Sequence, residues 1–300
     1  MISFRRTHTI PYLLVTVLLA LATLAQTALG KVVEGLSVES RILGHPVHYS
    51  VYLPPDYDGS DRAYPVVYLL HGFSDSEAAW VQYGEVQQAA DKGIAERRLS
   101  PMIIVMPDGG TTWYINSADG KARYEDFFFQ EFIPSVESHF RIRAAKHFRA
   151  MAGLSMGGYG SLYYCMKHPD MFAACAAFSA AIHDEQMLLG LDQKGWDNFF
   201  SVPYGAGLAG QARLTPWVKE HSVLNLAKSL DKDSLASVHY YLDCGDKDYL
   251  GKANGELHVI FMDRGIAHET RMRDGGHNWT YWRSGIADGL AFISADFRQN

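Results

Sequence analysis

The spacing of hydrophobic and polar residues changes several times along the chain, and each change marks an element. Val47, Tyr49, Val51 and Leu53 alternate with polar or smaller residues, so Pro46 to Leu53 reads as a half-buried strand, preceded by a second strand over Val32 to Ser40. Pro65 to Leu70 and Pro101 to Met106 are unbroken apolar runs, the pattern of strands covered on both faces of a parallel sheet. Glu77 to Leu99 between them has helical character. Tyr124 to Phe140 carries Phe128, Phe132, Val136 and Phe140 at helical spacing, with Pro134 expected to kink the helix. A strand-like run from His147 to Met151, a helix-like run from Ser161 to Met166 and a strand over Phe172 to Ser179 follow. From Ala180 to about Leu235 regularity is lost, and Gly190, Gly195, Gly205, Gly207 and Gly210 punctuate a stretch holding Trp196 and Trp217. This stretch is expected to be a cap or insertion after the sixth strand. Ser237 to Leu242 (strand), Asn254 to Arg264 (helix), Glu269 to Arg273 (strand) and Tyr281 to Phe297 (helix) complete the chain. The alternation predicts one α/β domain over residues 31–300, a mostly parallel central sheet flanked by helices.

The first thirty residues follow a different pattern. Arg5 and Arg6 precede an apolar run from Ile10 to Ala25, and Ala28 and Gly30 supply small residues where a signal peptidase reads. Residues 1–30 therefore read as a signal peptide cleaved after Gly30, and the protein as exported, periplasmic or secreted. A membrane anchor is the competing reading, opposed by the short run and its interruption at Thr16 and Thr23. Removing two arginines and no acids takes the formal charge from −6 to −8, which leaves no basic surplus to grip nucleic acid or hold an anionic membrane. A chain 48% hydrophobic and 20% charged is globular, not disordered. The three cysteines, Cys165, Cys175 and Cys244, lie in apolar runs and read as buried free thiols rather than a disulfide and a spare. No histidine or cysteine spacing matches a metal site, and no phosphate-binding loop is present, so neither metal nor cofactor is expected.

Chemistry concentrates at Gly153-Leu154-Ser155-Met156-Gly157, a GxSxG pattern followed by Gly158, with a strand before it and a helix after. A serine turned sharply between strand and helix needs small neighbours for the chain to pass, and the helix aims its first free amides at the serine. Ser155 is the candidate nucleophile and the Met156 amide a candidate oxyanion donor. His71-Gly72-Phe73 ends a buried strand, which makes the Phe73 amide the second donor and His71 a histidine that orients the loop. A serine hydroxyl needs a base, and the base needs an orienting acid. His277, flanked by Gly275 and Gly276, is the candidate base. The acid is one of Asp243, Asp246 and Asp248, with Asp248 favoured because Asp243 falls in the strand and Asp246 suits a turn cap. Serine, acid, histidine is the chain order of the α/β-hydrolase fold. Trp113, Tyr114 and Trp279 are candidate substrate-binding residues, and Trp113 and Tyr114 compete with a plain packing role.

Leu70-His71-Gly72, Gly153 to Gly158, Cys244-Gly245-Asp246-Lys247-Asp248 and Gly276-His277-Asn278-Trp279 together resemble the esterase D family of α/β hydrolases. That family includes feruloyl and acetyl xylan esterases, S-formylglutathione hydrolases, tributyrin-type esterases and mycolyltransferases. The resemblance covers about residues 35–298 and implies Ser155, Asp248 and His277 as triad, with Phe73 and Met156 at the oxyanion. Asn278 departs from the aspartate that many relatives carry after the histidine. The Asn278-Trp279-Thr280 sequon is read as coincidental, because a glycan there would obstruct His277. The resemblance implies a serine carboxylic-ester hydrolase acting on short acyl esters of carbohydrates or small molecules, polysaccharide included. An acyltransferase passing the group to a sugar hydroxyl is the alternative, and a non-catalytic binding module is a remoter one.

Overall fold

The computed structural model describes residues 29–298. Residues 1–28, where most of the expected signal peptide falls, lie outside the described residues. Gly30 is built into the fold. Its amide donates to Asp91 Oδ1 at 2.8 Å, its carbonyl accepts from Gln87 Nε2 at 2.7 Å, and a Cβ there would stand 2.3 Å from the Tyr52 ring.

Eight strands form one sheet: β1 Lys31–Glu39, β2 Pro46–Leu53, β3 Val66–Leu70, β4 Ile103–Pro107, β5 Arg149–Leu154, β6 Ala174–Phe178, β7 His239–Gly245 and β8 His268–Arg273, in the order β1-β2-β4-β3-β5-β6-β7-β8. β1 and β2 pair antiparallel, β2 runs antiparallel to β4, and every other pairing is parallel. The apolar runs of β3 to β6 are buried on both faces, as helices on each side require. Val66, Tyr68 and Leu70 face one layer, which includes the helix Met156–Lys167; Val67 and Leu69 face the other, built from Val86–Ala95 and the last helix, Trp279–Arg298. The carboxyl ends of the parallel strands all meet on one edge, where open α/β sheets hold ligands.

Two long helices expected from periodicity are divided. Glu77 to Leu99 breaks into Ala79–Gln82 and Val86–Ala95, because Gly84 packs against Trp80 where a Cβ would come within 2.5 Å, and Glu85 turns through φ 50°. Tyr124 to Phe140 widens into a π turn over Phe128–Phe132. Pro134 follows at the second position of Ile133–His139, which continues the π turn without a break, so the missing N–H falls where the helix has already widened. The widening takes the place of the expected kink.

The stretch between β6 and β7 is not irregular. Residues 185–236 contain a run of short helices, and five of them start on side-chain caps: Asp184, Asp192, Thr215, Ser222 and Asp231 each accept from an amide in the first turn. Helices of four to seven residues are too short to display a hydrophobic period. Arg213, 2% exposed, ties them together by donating to the carbonyls of Leu188, Leu191 and Leu208. All three cysteines are buried free thiols. Among the described residues no helix is long and apolar enough to cross a membrane.

Candidate active site

Ser155 sits between β5 and the helix Met156–Lys167 at φ 52°, ψ −117°, outside the regions that L-residues favour. The glycines around it are required by contact. A Cβ on Gly153 would lie 2.4 Å from the Gly157 carbonyl oxygen, and one on Gly157 would lie 2.4 Å and 2.6 Å from the oxygens of Leu70 and His71. Backbone cannot yield as a side chain does, so the elbow exists only with glycine at both places. Neighbouring strands pin the turn: the Ser155 amide donates to Phe178 O, and its carbonyl accepts from the amides of Tyr159 and Ala181.

His277 and Asp248 arrive from the loops after β8 and β7. Asp248 Oδ2 lies 2.9 Å from His277 Nδ1, and His277 Nε2 lies 2.9 Å from Ser155 Oγ. A carboxylate on Nδ1 selects the Nδ1–H tautomer, which leaves Nε2 free to accept the serine proton. Burial works against the charge on Asp248, but hydrogen bonds from His277, the Leu250 amide and the Ser179 hydroxyl prevail and hold its carboxyl below the usual range. It is therefore an anion throughout the neutral range. The other two acids are engaged elsewhere: Asp243 with Arg273 and the Tyr281 hydroxyl, and Asp246 Oδ1 with the Gly275 amide at 3.0 Å.

Phe73 follows β3, on the loop that packs against the start of the helix after Ser155. A Cβ on Gly72 would stand 2.7 Å from Leu154 and 3.7 Å from Ser155 Cβ. The Met156 amide is the first of its helix, directly after Ser155, and has no intrahelical acceptor. His71 is 1% exposed and joins two loops, with Nδ1 on Gly72 O at 2.7 Å and Nε2 accepting from the Gly109 amide at 2.8 Å.

The three aromatic candidates separate. Tyr114 is fully buried beneath the Phe73 loop, its hydroxyl donating to His71 O at 3.0 Å, and so supports that loop instead of walling a pocket. Trp113 is 3% exposed; its ring is 6.3 Å from Phe73 and 4.7 Å from His183, and Nε1 donates to Phe199 O in the cap. Both residues take left-handed φ, 58° and 61°. Trp279 packs edge-on against Trp80 and Trp282.

Three neighbours carry no motif. Trp282, one turn into the last helix, sets its ring at right angles to His277 at 4.9 Å and donates from Nε1 to Ser179 Oγ at 3.0 Å. Ser179 holds φ 44° after β6. His183 is 9% exposed between Trp113 and Phe200, and burial lowers its imidazole to about 3. A polar residue one to five positions past a strand end was the available signal for Ser179 and His183; nothing local marks Trp282. Among the described residues no cluster of metal-ligating side chains converges.

A parallel sheet with a strained serine at the β5 elbow, and an acid and a histidine from later loops, defines an α/β-hydrolase fold. Residues 40–293 match the family described as "Putative esterase", and the chain belongs to that family. It is 31% identical over 246 residues to an esterase of Mycobacterium tuberculosis, covering 76% of this chain and 52% of that protein. The chain thus spans about half the length of that relative. An acetyl esterase of Caldicellulosiruptor saccharolyticus is 24% identical over 229 residues, 76% of this chain and 82% of that protein. The solved structure of a ferulic acid esterase superposes with a TM-score of 0.78 at 32% identity, covering 90% of this chain and all of that one.

Proposed function

We propose that the protein is an exported serine carboxylic-ester hydrolase that works through an acyl-enzyme on acetyl, feruloyl or other short acyl esters of carbohydrates or small molecules. The observation that carries the reading is the unbroken Asp248–His277–Ser155 relay, with 2.9 Å at each step. Ser155 Oγ attacks the ester carbonyl as its proton passes to His277 Nε2. The carbonyl oxygen becomes an oxyanion held by the Phe73 and Met156 amides, and Asp248 stabilises the imidazolium. Collapse expels the alcohol, which takes the proton from Nε2. Water, deprotonated by the same nitrogen, then cleaves the acyl-enzyme to the acid and restores the serine. The acyl range rests on relatives named acetyl esterase and ferulic acid esterase. Export rests on the composition of residues 1–30.

Initial rates on p-nitrophenyl acetate, butyrate and octanoate, methyl ferulate and acetylated xylan, for wild type beside Ser155→Ala, test the reading. Turnover that falls by several orders of magnitude in the variant supports it, and equal rates overturn it. Product analysis with an added sugar acceptor separates hydrolysis from acyl transfer.

A further inference from the structure

His277 fixes where the two halves of an ester lie. The alcohol oxygen takes its proton from Nε2, so it leaves within hydrogen-bond reach of that atom, about 3 Å. The carbonyl oxygen points the other way, to the amides of Phe73 and Met156. The group attached to the leaving oxygen therefore passes across the surface beside the imidazole. That surface carries Tyr249, whose ring centroid lies 4.9 Å from that of His277.

Tyr249 stands out in the burial pattern. It is 70% exposed, while Asp248 and Leu250 on either side are buried. A large ring held in water beside a reacting group contributes little to the core, but it offers an apolar face to a ligand. Behind it opens a shallow cavity of about 200 Å³, lined by Asp184, Gln186, Met187, Leu250, Lys252 and Tyr249 itself. Lys252 Nζ lies 3.3 Å from both Asp184 Oδ2 and Gln186 Oε1, and Asp184 Oδ1 caps the helix start at the Met187 amide. The lysine and aspartate offset each other's charge. What remains is a hollow whose lining carries no net charge and combines an aromatic ring with hydrogen-bond donors and acceptors.

We propose that Tyr249, Gln186, Lys252 and Asp184 form the subsite for the alcohol half of the ester, and that it takes a neutral sugar ring. The C–H face of the sugar lies on Tyr249, and its hydroxyls exchange hydrogen bonds with Gln186, Lys252 and Asp184. A simple alkyl alcohol would leave the polar wall unused, and a charged one would find no net counter-charge, because Lys252 and Asp184 offset each other.

The inference rests on the esterase reading, so the test uses two esters of one acid, acetic or ferulic: the methyl ester and an ester of methyl β-xyloside. The acyl half is common to both, so the ratio of kcat/KM for the sugar ester to that for the methyl ester reports the alcohol side alone. In wild type the sugar ester is the better substrate. Tyr249→Ala is expected to lower the ratio at least tenfold, chiefly through KM on the sugar ester, and Tyr249→Trp to restore it. Gln186→Ala and Lys252→Ala are each expected to lower it severalfold. Equal losses on both esters would show Tyr249 to be a support for His277, and a ratio unchanged in all variants, or no wild-type preference, would likewise overturn the subsite. Absence of serine-dependent turnover of either ester would instead sink the esterase reading, and the subsite with it.

Discussion

Arg273 grips the buried carboxylate of Asp243 through two nitrogens, Nε to Oδ2 at 3.1 Å and Nη2 to Oδ1 at 3.2 Å. The guanidinium also lies over the Tyr281 ring at 4.1 Å, and the hydroxyls of Tyr241 and Tyr281 complete the shell around Asp243. This cluster ties β7, β8 and the last helix together directly beneath the loops that carry Asp248 and His277. Removing the arginine strands a fully buried anion, a change that costs about 3–5 kcal/mol in comparable pairs. Arg273→Met should therefore lower stability by about 3 kcal/mol in urea unfolding. A loss under about 1 kcal/mol would mean that the pair is not desolvated as its geometry implies.

The same cluster decides among the three acids. Asp243 is consumed by structure, Asp246 holds the Gly275 amide, and Asp248 alone reaches His277. Replacing the carboxylate with an amide removes the charge and favours the wrong tautomer of the base. Asp248→Asn should lower kcat by about 10³–10⁴, whereas Asp246→Asn, which only loosens the turn, should cost a few-fold. Comparable losses in the two variants would move the triad acid or merge their roles. Steady-state kinetics on one nitrophenyl ester are enough.

The loop that carries Phe73 offers a sharper test of positioning. A methyl on Gly72 meets the end of the Leu154 side chain at 2.7 Å and Asp75 Oδ2 at 3.2 Å, so either that side chain turns aside or the loop shifts while the rest of the fold stands. One misplaced oxyanion donor is worth about 10²–10³ in kcat. Where the loop shifts, Gly72→Ala should fall in that range with KM little changed, and pairing it with Leu154→Ala, which removes the contact, should restore kcat. A double variant that stays as slow as Gly72→Ala would show that the loss does not come from displacement of the Phe73 amide.

How much of this was legible in the chain divides along physical lines. The elbow, the order serine-acid-histidine and the buried strands are local patterns, so glycine spacing and apolar runs disclose them. Asp248 was ambiguous because Asp243, Asp246 and Asp248 lie within six residues, and what separates them is their partners at Arg273, Gly275 and His277, about thirty residues away. For Trp113 and Tyr114 the sequence leaves pocket wall and plain packing open, because loops after strands hold ligands but also need rings to pack them. Their left-handed backbone and the bond from Tyr114 to His71 O are tertiary facts with no local mark. The cap looked irregular because its glycines stood out, while its five Asp, Ser and Thr caps were the truer signal.

His183 supplies a pH test that is independent of activity. Its ring is 9% exposed between Trp113 and Phe200, and burial lowers the imidazole from 6.5 to about 3, with Asp184 opposing that shift in part. Above pH 6.5 the ring is neutral in folded and unfolded chains alike, and its full contribution to stability is present. As pH falls from there towards 3, the unfolded chain binds a proton that the folded ring refuses, so stability drops. From pH 7 to pH 4 the loss from this one group is on the order of 3 kcal/mol. His183→Phe keeps an aromatic ring against Trp113 and Phe200 but cannot titrate. Urea unfolding of both proteins at pH 7 and pH 4 should show the wild type losing about 3 kcal/mol more than the variant over that interval. Parallel losses would mean that water reaches the imidazole and that the cap is more open around His183 than its packing implies.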